Sequence, residues 1–184
     1  MKNLYAIFLN ACLLSCVQQG EGQIIYRYPK YVLDTVYPYN ILLADMDSSR
    51  FFTSEQVLAQ PEKGPKQPIV LAFWLTTCGP CRAELTTYAA QYEAWRKQAN
   101  FRILAISLDY PHRFRDIARI ARELGFPFEV YWDVHRFFRV VMPGGLNGLP
   151  QIFLLDKEGK IAYHQKGFRP GDEQRLFQKI LELQ

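Results

Sequence analysis

Apolar positions fall into two rhythms along this chain. Residues 69–75 form an unbroken apolar run, the pattern of a strand covered on both faces. Residues 103–108 repeat it. Residues 128–132 and 151–155 read as further strands, and Asp156 to Gly159 turns the second of these into one more at 160–165. Elsewhere the spacing is three and four. Cys81, Leu85, Tyr88, Tyr92 and Trp95 make one helical stripe, and Ile117, Ile120, Ala121 and Leu124 a second. A last helix begins near Asp172, with Leu176, Phe177, Ile180, Leu181 and Leu183 apolar. Strands alternating with helices predict an α/β domain around a central mixed sheet. Ahead of them, residues 41–46 and 50–52 flank Asp47-Ser48-Ser49 and predict a hairpin. Thr53 or Ser54 then caps a short helix to Ala59, with Glu55 or Gln56 near the capping-box position. The proline-rich stretch 61–68 reads as a surface loop.

The first residues follow a different pattern. Met1-Lys2-Asn3 is a short positive start, and residues 4–14 are apolar except for Asn10. That is the start of a secretory signal, too short for a spanning anchor. Leu13-Leu14-Ser15-Cys16 resembles a bacterial lipobox, which implies cleavage before Cys16 and lipidation of its sulfur. Cleavage near Gly20 or Gly22, which discards Cys16, and an uncleaved anchor are the alternatives, and all three routes export the domain to the cell envelope. Acyl chains contribute about 0.8 kcal/mol per buried CH₂, so a lipidated Cys16 would hold the chain on a membrane. The expected layout is a signal peptide at 1–15, a tether and tyrosine-rich segment at 16–39, and the α/β domain at 40–184. Within the second segment Ile24, Tyr26 and Tyr28 alternate, which suits an extra strand packed on the domain. An aromatic docking surface is the other reading of its tyrosines.

Composition narrows the picture. A chain of 184 residues with 49% hydrophobic and 22% charged content supports one well-buried domain and is not a disordered composition. A net charge of +4 without a dense basic stripe argues against nucleic acid as a partner. Arg113, Arg115, Arg119 and Arg122 read as a solvated helix face, with an acidic partner surface as the alternative. Of Cys12, Cys16, Cys78 and Cys81, only the last two lie beyond the extreme N-terminus, which excludes a multi-disulfide scaffold.

Cys78-Gly79-Pro80-Cys81 stands where the apolar run at 69–75 gives way to a helical stripe. Residues three apart on a first helical turn lie roughly 5 Å apart at Cα, inside the range a disulfide needs. Pro80 falls at a first-turn position, where its missing N–H costs nothing. Cys78 would meet unpaired backbone N–H groups and the positive end of the helix dipole, both of which favour its thiolate. Cys81 shares the apolar stripe and should be the more buried thiol. One exposed sulfur of lowered pKa beside one shielded sulfur suits dithiol exchange. A zinc site would need further ligands, and His112, His135 and His164 are scattered. A permanent structural disulfide is the remaining alternative.

The stretch Phe73-Trp74-Leu75-Thr76-Thr77-Cys78-Gly79-Pro80-Cys81-Arg82-Ala83-Glu84 resembles the active-site segment of thioredoxin-fold proteins. It is most similar to the exported TlpA/ResA-like branch of thiol-disulfide oxidoreductases, related to AhpC/TSA proteins. Gly148-Leu149-Pro150-Gln151, continuing through Asp156 to Lys160, resembles the same family's cis-proline loop and following strand. The resemblance covers about residues 40–184 and implies a thioredoxin-like fold. It makes Pro150 the cis-proline, against the alternative of a trans proline opening a strand. It places Trp74, Leu149 and Pro150 along the substrate-binding side, with Trp74 as core or site wall. Glu84 matches an active-site glutamate and would relay a proton for Cys81, unless it only complements the helix dipole. Ala72 stands where cytosolic-type thioredoxins carry a buried Asp, Thr77 replaces a common Trp, and Gln151 replaces a common Thr. The implied activity is reduction of disulfides in partner proteins through a Cys78–Cys81 redox couple, with no cofactor and a membrane-borne electron donor. A binding or assembly protein that keeps the fold for recognition is the rival.

Overall fold

A computed structural model describes residues 40–46 and 48–184. The lipobox-like stretch with Cys16 and the strand expected near Tyr26 lie outside the described residues.

The hairpin comes first: β1 (Leu42–Asp45) and β2 (Phe51–Thr53) pair antiparallel. Thr53 caps α1 (Ser54–Leu58) with a full capping box, its hydroxyl taking the Gln56 N–H while the Gln56 side chain takes the Thr53 N–H. Then follow β3 (Ile69–Trp74), α2 (Gly79–Arg96), β4 (Arg102–Ser107), α3 (Phe114–Glu123), β5 (Glu129–Asp133), α4 (Phe138–Val141), β6 (Gln151–Leu155), β7 (Ile161–Lys166) and α5 (Asp172–Leu181). The seven strands form one mixed sheet in the order β2-β1-β5-β4-β3-β6-β7. Strands β3, β4 and β5 run parallel, and β6, β7 and the hairpin run antiparallel to their neighbours.

The apolar run of β3 is continuous because both of its faces are covered. Val70, Ala72 and Trp74 face a core completed by Leu85, Tyr88 and Trp95 of α2, Ile117 of α3 and Leu176 and Ile180 of α5. Ile69, Leu71 and Phe73 face a second core with Val57, Phe138, Met142 and Leu146. Trp95 stacks on Phe177 at 5.0 Å, which ties α2 to α5. The expected helical stripe on α2 is buried at Cys81, Leu85, Tyr88 and Trp95, while Tyr92 is only partly covered. The short helix α4 was not expected. Asp133, fully buried at the end of β5, accepts the Phe138 N–H at 2.8 Å and starts it.

Register decides what meets at the sheet's edge. Phe73 pairs with Gln151 and Trp74 with Ser107. The exits of β3 and β4 and the entry to β6 therefore share one edge, as does the end of β7, where Lys166 pairs with Gln151.

Candidate active site

The cysteine pair sits at the exit of β3. Its chain turns back through Cys78 N–H, which donates to Leu75 O at 3.0 Å. Cys78 is the N-cap of α2, and its Sγ accepts the Cys81 N–H at 3.2 Å. Pro80 lies in the first turn, as expected. Cys78 and Cys81 form a disulfide with Cα atoms 5.3 Å apart. The two sulfurs are unequal in access: Cys78 is half-buried and Cys81 is 0% exposed.

Two networks hold the surroundings of this pair, and neither stands out in the sequence. On the β4 side Asp109, 2% exposed, accepts both the N–H and the hydroxyl of Thr76 at 2.8 Å. It also accepts the Ser107 hydroxyl at 2.8 Å. A buried carboxylate with three donors clamps the turn that delivers Cys78. Trp132 Nε1–H bonds to the Asp109 carbonyl at 2.9 Å and fixes it from β5. The only signal in the sequence is an aspartate directly after an apolar strand.

On the β6 side the Leu149–Pro150 peptide bond is cis. Gly167 N–H donates to Pro150 O at 2.8 Å, and the buried Gln151 amide donates to Gly148 O at 2.9 Å. The Gln151 Oε1 faces His164 Nε2 at 3.0 Å, so that ring nitrogen carries the proton. Burial, reinforced by the Lys166 charge, lowers the His164 pKa to about 4, so its imidazole is neutral at ordinary pH. Gln151, which replaces a common Thr, is thus the strut of the cis-proline loop. Pro150 is buried and Leu149 half-buried, packed against both cores.

Glu84 lies one turn beyond Cys81 and is 1% exposed. Burial pushes its pKa from 4.5 up to about 8; the hydroxyl of Tyr88, donating to Oε1 at 3.1 Å, pulls it down, and the Asp172 charge on α5 adds to the rise. The carboxyl is therefore mostly neutral at pH 7. A neutral carboxyl weighs against the dipole-complementing alternative, which needs an ionised side chain at the helix start. Repulsion between a Glu84 charge and a Cys78 thiolate is likewise absent at neutral pH. The chemical consequence is a matched acid and base. An ordinary thiol has a pKa of about 8.5, so a carboxyl near 8 exchanges a proton with it at little cost. Tyr88 and Asp172 are parts of this arrangement that the helical stripe alone did not single out.

Trp74 needs correction as a substrate-contacting residue. It is 0% exposed, lies in the core with Cys81 and Tyr88, and meets Phe126 edge-on at 5.7 Å. It supports the floor beneath the pair and offers no surface to a partner.

The sequence profile of the AhpC/TSA family matches residues 52–164, well over half of the chain. The chain belongs to the AhpC/TSA family. Among relatives, the thiol-disulfide oxidoreductase ResA of Geobacillus thermodenitrificans is 32% identical over 93 residues, 50% of this chain and 51% of the relative. The thiol:disulfide interchange protein DsbE of Pasteurella multocida is 26% identical over 121 residues, 63% of this chain and 62% of the relative. The chain thus spans about half the length of the ResA relative. In structure, a protein from Chlorobium tepidum assigned as thiol:disulfide interchange protein DsbE superposes with a TM-score of 0.65 at 25% identity, covering 84% of this chain and 99% of that one. An uncharacterized thioredoxin-like protein from Porphyromonas gingivalis gives 0.64 at 25% identity, covering 78% and 88%. The fold of this family member is thioredoxin-like, of the TlpA/ResA type, with the N-terminal hairpin added at one side of the sheet.

Proposed function

We propose that this chain is an exported, lipid-anchored thiol-disulfide oxidoreductase that reduces disulfides in partner proteins. The unequal pair carries the reading: a half-exposed Cys78 at the start of α2, a fully buried Cys81, and a Glu84 whose pKa of about 8 suits thiol chemistry. The printed activities of the ResA and DsbE relatives support the same class of reaction.

The Cys78 thiolate attacks one sulfur of the partner's disulfide. A Cys78–partner bond forms, the partner's S–S bond breaks, and the departing thiolate takes a proton from water. The ionised fraction of Glu84, the minor form at pH 7, accepts the Cys81 proton. The Cys81 thiolate then attacks Cys78 Sγ, which forms the Cys78–Cys81 disulfide and releases the second partner sulfur as a thiolate. Two electrons have passed to the partner, carried by sulfur alone, so no cofactor takes part. Leu149 and Pro150 hold the partner backbone beside Cys78. A membrane-borne donor restores the dithiol, and Cys16, left as the first residue after loss of 1–15, keeps the domain near it through the tether at 16–39.

The test is capture in cells. A Cys81→Ala full-length variant should accumulate mixed disulfides through Cys78, and a Cys78→Ala variant should accumulate none. Equal trapping by both, or by neither, would overturn the reading. Cys16→Ala should lose acyl labelling and membrane retention; unchanged retention would remove the anchor and leave the redox chemistry in place.

A further inference from the structure

Five basic residues lie on or after elements that end or begin on the side of the sheet where β3 delivers the cysteine pair. Arg82 follows Cys81 on α2, and Arg136 follows β5; Lys166 ends β7, Arg169 lies in the loop beyond it, and Arg175 stands on the first turn of α5. Arg136 lies 3.6 Å from the ring centre of Tyr110, which is 56% exposed, and so fixes a cation and an aromatic face beside the Asp109 clamp. The acidic groups nearest to this edge are engaged. Asp116 pairs with Arg113 and Arg119, Asp172 pairs with Arg175, and Glu84 and Glu173 are buried. Glu55, on α1 beside β2, is four strands away from β3. The side chains of Lys166 and Arg169 form no ion pair among the described residues, although the Arg169 backbone N–H donates to Asp172 Oδ2 at 2.8 Å.

The charges are not spread on a flat face. Lys166, Phe168, Arg169, Asp172 and Arg175 line a cavity of about 420 Å³. Gly167, in its wall, holds Pro150 O through its N–H, so the cavity opens directly beside the cis-proline loop. A peptide lying along that loop with its cystine at Cys78 would extend side chains into this cavity.

We infer that this surface docks an acidic stretch of the disulfide-bearing partner, whose carboxylates enter the cavity at Lys166 and Arg169. The inference rests on the oxidoreductase reading above. An anionic membrane surface is the competing occupant, but lipid headgroups pressed onto this edge would cover the disulfide, and a concave cavity fits side chains better than a plane. Charge of this kind acts mainly on the rate of encounter and on the choice of partner, and salt weakens it.

Three probes test it with the reduced full chain: a cyclic disulfide peptide with aspartates around its cystine, the same peptide with lysines in their place, and neutral hydroxyethyl disulfide. At low ionic strength the aspartate peptide should be reduced about tenfold faster than the lysine peptide, and added salt should shrink the ratio. Lys166→Glu combined with Arg169→Glu should invert the preference and leave the hydroxyethyl disulfide rate unchanged; the Gln pair should level it. Equal rates for both peptides, with hydroxyethyl disulfide still reduced, would overturn the docking surface and leave the oxidoreductase standing. No reduction of any probe would remove that reading, and the docking surface with it. If the double variant loses binding to phosphatidylglycerol vesicles while the peptide ratio stays at one, the surface faces a membrane and the inference is wrong.

Discussion

A glutamate held neutral inside a protein leaves a mark on stability that can be isolated by replacing it. Glu84 keeps its proton up to about pH 8 in the folded chain, against 4.5 when free in solution. Between those values the folded state binds more protons than the unfolded state, so stability falls as pH rises. The slope is about 1.36 kcal/mol per pH unit, and the whole window amounts to about 5 kcal/mol. From pH 5 to pH 7 the loss assigned to Glu84 is about 3 kcal/mol. Glu84→Gln keeps the shape and the acceptor for Tyr88 but cannot ionise. Every other titrating group is common to both proteins, so the difference between their unfolding free energies reads Glu84 alone. Urea denaturation of the oxidised forms, in which neither cysteine titrates, should show the native protein losing about 3 kcal/mol relative to the variant between pH 5 and pH 7. A difference constant to within about 0.5 kcal/mol would mean that Glu84 ionises like an exposed carboxylate. The proton relay would then lose its physical basis.

Two further outcomes follow from the same contacts. The Tyr88 hydroxyl favours the ionised Glu84, so Tyr88→Phe should raise the Glu84 midpoint above its value of about 8, read by shifting the same pH scan upward; a lower midpoint would refute the assigned hydrogen bond. Asp109→Ala strands the Thr76 N–H and hydroxyl and the Ser107 hydroxyl in the interior. It should cost about 3 kcal/mol or more in urea unfolding and speed alkylation of reduced Cys78 as the turn loosens; a loss under about 1 kcal/mol would mean the clamp holds nothing.

How much of this could be read from the sequence depended on how local the cause was. The strands and helices were legible because a strand covered on both faces must be continuously apolar and a helix on a sheet must repeat at three and four. The hairpin and the Thr53 cap were legible because turn and cap chemistry lie within a few residues. The segment 134–149 has no such period, and α4 starts at one side-chain acceptor five residues upstream, the buried Asp133, which no periodicity marks. Glu84 was legible as a position but not as a charge state. Its neutrality comes from burial beneath α5, whose Asp172 is 88 residues away in the chain (positions 84 and 172). Trp74 reads in the sequence as core or site wall, and strand alternation puts it in the core with Val70 and Ala72, so its place among the substrate-binding residues is not kept. Asp109 shows in the sequence only as an aspartate after an apolar strand, and the register of β3 with β4 brings it to the Thr76 turn it holds, while Gln151 is visible as a substitution in the cis-proline motif but not as the donor to Gly148 O.

Under the proposed reaction, these placements divide the chemistry between the two sulfurs. Cys78 needs no base, because the start of α2 offers it the Cys81 N–H and the positive end of an 18-residue helix. Cys81 has the opposite problem. It is fully buried, and burial raises a thiol's pKa, so its attack on Cys78 requires somewhere for the proton to go. An ordinary carboxylate would be a poor acceptor, about four pH units below a free thiol. Burial of Glu84 removes most of that gap by raising the acid by the same physics that raises the thiol. On the proposed reading, the same apolar face of α2 that buries Cys81 also buries the base that would take its proton. This coupling has a direction in pH. Above about 8 Glu84 of the disulfide form is charged, and it no longer has a proton to return when the disulfide is reduced. Exchange by the native pair should therefore change its pH dependence near 8, and Glu84→Gln should erase that change while leaving attack by Cys78 in place.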